Sequence, residues 1–171
     1  HTEQKRLDLL LRAWQGVKAR ESDDIDNPSR LLICGKGPKT DELKRLAREL
    51  GIEDSVQLPG FVDNPWAWID QATLFVSTSE WEGLPNSLLE AQAVGTSIVS
   101  SYCTSGPKEI LLDGDAGFLF ETNNVEACTE TLLDALADEP EREKRAATAT
   151  ANLDRFRLDN ISDQYLELTT Q

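Results

Sequence analysis

Two carboxylates, Glu82 and Glu90, flank the run Gly83-Leu84-Pro85-Asn86-Ser87. The glycine and proline tighten a loop, and Asn86 or Ser87 is the kind of residue that caps a helix. Free N–H groups at such a helix start suit an anion, a diphosphate in particular. Glu90 then falls one turn into the helix, with Glu82 in the loop before it. Such a pair can be read as the acid and nucleophile of a glycoside hydrolase, whose carboxyls stand about 5–9 Å apart. Placement on a loop and a helix does not require that spacing. Two separate hydroxyl-binding carboxylates fit as well, and so do solvated acids on a capped surface helix. A second candidate, Gly35-x-Gly37, lacks the third glycine of a dinucleotide fingerprint and the acidic residue that should follow the next strand. As a NAD site it is weaker than as a tight turn.

Other chemistries are excluded by what the chain lacks. Its single histidine, His1, leaves no histidine-based triad or metal site. Cys34, Cys103 and Cys128 are far apart with no Cys-x-x-Cys, so they read as reduced thiols and not as a zinc site or disulfide set. With 31 acidic against 17 basic residues the net charge is −14. That balance argues against a nucleic-acid partner and against docking on anionic lipid. Neither a membrane-spanning run nor a signal peptide is visible, and a cytoplasmic location is expected.

The elements that must carry these residues alternate. Short apolar runs at Leu31–Cys34, Ser55–Leu58, Thr73–Ser77, Thr96–Ser100 and Gly117–Phe120 read as buried strands. Between them lie helical patterns over residues 3–20, 40–50, 65–71, 86–94 and 105–112. Further helices are expected from Asn123, with Asn123 and Glu126 as a capping pair, from Pro140, and over Ile161–Leu168. This alternation predicts an α/β fold, a Rossmann-like doubly wound, mostly parallel sheet with helices on both faces. Ligands then sit beyond the strands' carboxyl ends, after Cys34, Leu58, Ser77 and Ser100. The chain opens in a helix where such a domain opens in a strand, so a truncated first strand is expected.

The run from Glu82-Gly83-Leu84-Pro85-Asn86 through Glu90-Ala91 resembles the signature of family 4 retaining glycosyltransferases. Other pieces follow in that family's order: Gly35-x-Gly37-Pro38, Val56-Gln57-Leu58-Pro59-Gly60-Phe61-Val62, Cys103-x-Ser105-Gly106-Pro107-Lys108-Glu109-Ile110-Leu111 and Asp113-Gly114-x-x-Gly117. The resemblance spans nearly the whole chain. It implies the GT-B architecture of two Rossmann-like domains, of which residues 1–171 would be the C-terminal, donor-binding one, with helices from about 140 to 171. The acceptor-binding N-terminal domain would be absent. Thr2-Glu3-Gln4-Lys5-Arg6 resembles the tail of the family's Arg-x4-Lys motif, which makes Lys5 its lysine.

The resemblance also implies roles. Glu90 would accept from the ribose hydroxyls, and Glu82 would hold hydroxyls of the transferred sugar beside the backbone of Gly83, Leu84 and Pro85. The N–H groups of Asn86 and Ser87 would meet the diphosphate, and Lys5 would neutralise it without a metal or other cofactor. Backbone at Phe61 and Val62 would contact the base. Gly35 and Gly37 would let the chain pass close to the nucleotide or simply form a turn. The implied reaction moves a hexose or N-acetylhexosamine from a nucleotide-diphosphate sugar, UDP-linked by preference, to a glycan or polyprenyl-linked acceptor of bacterial surface polysaccharide. Any contact with the inner face of the plasma membrane would run through the absent domain. An epimerase of the same architecture and a non-catalytic nucleotide-sugar-binding module are the alternatives. Trp66, Trp68 and Trp81 are expected to pack more than to platform a sugar.

Overall fold

The structure, a computed structural model, describes residues 2–22, 28–103 and 105–157. The apolar runs become five strands: β1 (Leu31–Cys34), β2 (Val56–Gly60), β3 (Phe75–Ser77), β4 (Ile98–Ser101) and β5 (Phe118–Phe120). All pairings among them are parallel. The described residues also form seven α-helices: α1 (Leu7–Lys18), α2 (Thr40–Glu49), α3 (Pro65–Asp70), α4 (Asn86–Ala93), α5 (Pro107–Ile110), α6 (Val125–Ala137) and α7 (Glu139–Ala151).

Because strand side chains alternate, each run supplies both faces of its sheet. Val99, Phe118 and Phe120 join Leu9, Leu11 and Trp14 of α1 and Cys128 and Leu132 of α6 in the larger apolar core. Ile98, with Phe75 and Leu119 packed alongside, meets Leu88 and Ala91 of α4 and Ile110 and Leu111 on the opposite face. Helices therefore cover both faces, as expected. Gly16 lets α1 lie close against α6: a Cβ there would sit 2.8 Å from Thr129 Cγ2.

Three details depart from the sequence reading. The helix expected over residues 3–20 begins only at Leu7, after a separate turn of 3-10 helix at Glu3–Lys5. The cap of α6 is Asn124, whose side chain accepts from Ala127 N, while Asn123 has a positive φ of 64°. Polar side chains at adjacent positions are interchangeable in a pattern; only the backbone turn chooses between them. Third, among the described residues the sheet is in two pieces, β1-β2 and β3-β4-β5, with no ladder joining β1 to β3. The turn at Glu3–Lys5 lies between their carboxyl ends, with Glu3 Oε1 3.7 Å from Lys39 Nζ on one side and Gln4 O accepting from Glu80 N on the other. The helix expected over Ile161–Leu168 falls outside the described residues.

Candidate functional site

The turn before α1 decides where Lys5 points. Arg6 adopts left-handed backbone (φ 45°, ψ 42°), a conformation that costs a non-glycine residue about 1–2 kcal/mol. Contacts from the stretch after β3 hold it there. Glu80 N donates to Gln4 O at 2.9 Å, Gln4 Nε2 to Trp81 O at 2.7 Å, and Thr78 Oγ1 to Lys5 O at 2.8 Å. The Arg6 guanidinium meets Asp8 at 3.2 Å and also bonds Asn123. With the chain kinked in this way, Lys5 Nζ reaches Glu82 Oε1 at 2.6 Å. The lysine side chain is 44% exposed and the glutamate 10%, so a largely buried carboxylate carries a cation with an open outer side.

The loop that presents Glu82 is braced by the last residue of β4 and the stretch after it. Ser101 Oγ and Cys103 Sγ both donate to Ser79 O, at 2.6 and 2.9 Å. Burial pushes the Cys103 thiol up, which keeps it protonated and able to donate. Ser105 Oγ donates to Glu82 O at 2.8 Å. Gly106, with φ 78°, passes so close that a Cβ would lie 2.4 Å from Gly83 O and 2.8 Å from Pro85 Cδ. None of these bracing residues carried a role in the sequence reading, because a hydrogen bond to a distant backbone carbonyl leaves no pattern along the chain.

Pro85 occupies the cap position of α4, and no side chain caps the helix. The expectation that Asn86 or Ser87 caps it is corrected: Asn86 is already its first residue. The outcome keeps the N–H groups of Asn86 and Ser87 open at the helix's positive end. The carboxylate of Glu90, half-buried one turn further on, makes no hydrogen bond or ion pair with the described residues. Gly83 and Leu84 are exposed between the braced carbonyl of Glu82 and the start of α4.

The remaining residues singled out in the sequence also reach the strands' carboxyl ends. Gly35, φ 99°, donates its N–H to Gly60 O at 2.7 Å, and Gly37 bonds Thr40 in a local turn. Phe61 is 76% exposed just past β2, with Val62 half-buried beside it. Lys108 is drawn aside to Asp113 at 3.1 Å and lies over the Tyr102 ring. Trp66, Trp68 and Trp81 are each more than half exposed, against the expectation that they pack; the tryptophan of the core is Trp14, which donates to Ser55 Oγ. A polar depression of about 380 Å³ beside the kink has Glu3, Arg6, Lys39 and Glu80 among its walls but neither Glu82 nor Glu90.

Parallel strands, helices on both faces and polar groups gathered beyond the carboxyl ends define a Rossmann-like α/β domain. Residues 1–152 match the family described as "Glycosyl transferases group 1", and the chain belongs to that family. An uncharacterized glycosyltransferase of Haemophilus influenzae is 36% identical over 137 residues, 80% of this chain and 37% of that protein. The N-acetylgalactosamine-N,N'-diacetylbacillosaminyl-diphospho-undecaprenol 4-alpha-N-acetylgalactosaminyltransferase of Campylobacter jejuni is 31% identical over 161 residues, 92% of this chain and 42% of its own. Staphylococcus aureus TarM, solved as a mutant with fondaparinux, alpha-GlcNAc-glycerol and UDP, superposes with a TM-score of 0.87 at 24% identity, over 99% of this chain and 34% of that one. The fold is that of the C-terminal domain of a GT-B glycosyltransferase. The chain spans well under half the length of these proteins. Among the described residues no helix is long and apolar enough to cross a membrane.

Proposed function

We propose that this chain is the donor-binding domain of a retaining glycosyltransferase, and that it works with an acceptor-binding domain outside residues 1–171. The reaction moves a hexose or N-acetylhexosamine from a UDP-sugar to a glycan or lipid-linked acceptor in surface polysaccharide synthesis. The single observation that carries this reading is the Lys5–Glu82 pair, set at the mouth of the uncapped α4 with Glu90 one turn inside. Family membership supports it, as do a relative that transfers onto an undecaprenol-linked glycan and the UDP bound in TarM.

Breaking the bond between the anomeric carbon and the diphosphate builds negative charge on phosphate oxygen. A cation and a helix N-terminus aimed there lower the barrier, and the reading calls on no metal ion. Lys5 and the N–H groups of Asn86 and Ser87 take that charge. Glu82 orients the sugar beside the backbone of Gly83, Leu84 and Pro85. Glu90 holds the ribose, the backbone at Phe61 and Val62 meets the base, and Gly35 and Gly37 admit the nucleotide close to the chain. The acceptor hydroxyl attacks the anomeric carbon from the face the diphosphate leaves, which retains configuration, and passes its proton to the leaving phosphate oxygen.

The unjoined edges of β1 and β3, with the turn at Glu3–Lys5 between their carboxyl ends, support one further parallel strand preceding residue 1. The work is assigned to the cytoplasm, with any attachment to the membrane's inner face made by the acceptor-binding domain. In the whole transferase, a donor panel scored by released nucleotide identifies the sugar and the base. Lys5→Ala and Glu90→Ala each lower turnover at least about tenfold. Near-normal turnover in either variant sinks the assignment, and so does transfer by residues 1–171 alone.

A further inference from the structure

Thr78 directly follows β3 and is 3% exposed. Its Oγ1 lies 2.8 Å from Lys5 O and 3.1 Å from Arg6 O. The left-handed backbone at Arg6 takes Lys5 O out of the helical ladder: Leu9 N and Leu10 N, in the first turn of α1, donate to Arg6 O instead. The Thr78 hydroxyl is the donor that the structure gives to Lys5 O. Without it that carbonyl would lose its partner, and the simplest repair is to straighten the backbone and let α1 run back through Lys5. In a straight helix Lys5 shares a face with Leu9, four residues on, which is 1% exposed in the core. The ammonium would then leave the loop that carries Glu82.

We propose that Thr78 is a positioning residue, whose hydroxyl holds the Lys5–Arg6 kink and so keeps the Lys5 ammonium on Glu82. The geometry stands by itself; its consequence for catalysis rests on the function proposed above. The hydroxyl acts through Lys5 and touches no substrate.

The test needs no ligand. The 171-residue chain is acylated with an N-hydroxysuccinimide ester of acetate, and Lys5 modification is read by peptide mass spectrometry against Lys44, an exposed lysine on α2. An ammonium held on a carboxylate acylates slowly. Thr78→Val therefore raises the Lys5-to-Lys44 ratio several-fold, and Thr78→Ser, which keeps the hydroxyl, restores it. In a Glu82→Gln background Lys5 is already released, and Thr78→Val adds little. An unchanged ratio in Thr78→Val, or equal increments in both backgrounds, overturns the proposal. Where Thr78→Val fails to fold, Thr78→Ala is read in the same way. In the whole transferase the same logic predicts that Thr78→Val lowers kcat with donor KM little moved, and lowers it no further once Lys5 is alanine. If acylation follows the prediction but Lys5→Ala turns over normally, the positioning role stands and the functional reading falls.

Discussion

The loops after β1 and after β3 leave the same edge of the fold, yet they are built in opposite ways. The first, Gly35 to Lys39, is closed by a local turn in which Gly37 and Thr40 bond each other at 2.8 and 3.1 Å; Gly35 also bonds Gly60 at the end of β2, and Lys39 Nζ lies 3.7 Å from Glu3 at the loop's rim. The second, Thr78 to Pro85, meets the kinked chain before α1 on one side and the stretch after β4 on the other. One is a local turn and the other a junction of three segments. Strained backbone, a buried carboxylate and a close glycine contact gather at the junction, which is how a fold holds a side chain to a fixed geometry.

The sharpest way to break the comparison is to remove the junction's carboxylate. Losing a buried charge-assisted contact costs about 2–4 kcal/mol, so Glu82→Ala should lower turnover of the whole transferase about 30- to 1000-fold. Thr40→Ala, which removes the bonds that close the first loop, should leave turnover close to that of the parent. Comparable losses in the two variants would erase the distinction.

Gly106 offers the next test. A side chain there meets Gly83 O and Pro85 at a positive φ, so Gly106→Val is strained twice over. Overpacking of this kind costs about 1–3 kcal/mol, and it displaces the backbone on which Glu82 sits. Both the melting temperature and the turnover should fall. Gly35→Ala is strained by its φ of 99°. It costs about 1–2 kcal/mol, a few degrees in melting temperature, and should raise donor KM at most a few-fold. A Gly106→Val enzyme with unchanged turnover would mean that the brace is dispensable.

The same contrast explains what was legible in the sequence. All five strands are visible as short runs between turn residues, and only β4 is buried along its whole length, while β2 keeps Gln57 and Pro59 exposed. Glu82 and Glu90 stand out because they lie on either side of a Gly-Leu-Pro turn, whereas Lys5, an ordinary helix lysine by pattern, is picked out only by the resemblance of residues 2–6 to the family's motif. The first loop is equally legible, since its glycines and Thr40 are neighbours in the chain. The junction is not. Thr78 and Lys5 are 73 positions apart, and Ser105 and Glu82 are 23 apart. A threonine after a strand looks the same whether it faces water or holds a carbonyl. The kink at Arg6 was missed for a related reason: the apolar stripe from Leu7 to Val17 runs smoothly into helix-compatible residues, and only tertiary bonds turn the chain there.

The thiols supply the gentlest probe, because one lies at each loop. Thiolate is the reactive form, so a raised pKa and low exposure both slow labelling. Burial pushes the thiols of Cys34 and Cys103 up, but Cys34 is exposed at the end of β1 while Cys103 is 2% exposed and bonded to Ser79 O. With a disulfide reagent at pH 8, Cys34 should react on mixing and Cys103 only when the junction opens. Cys128, in the α1–α6 core and pushed up to about 12, should wait for global unfolding. UDP, as the donor nucleotide proposed above, should tighten the junction alone, slow Cys103 further and leave the rates at Cys34 and Cys128 unchanged. If Cys103 instead reacts in step with Cys128, the junction opens only when the whole core does and has no motion of its own for a donor to suppress.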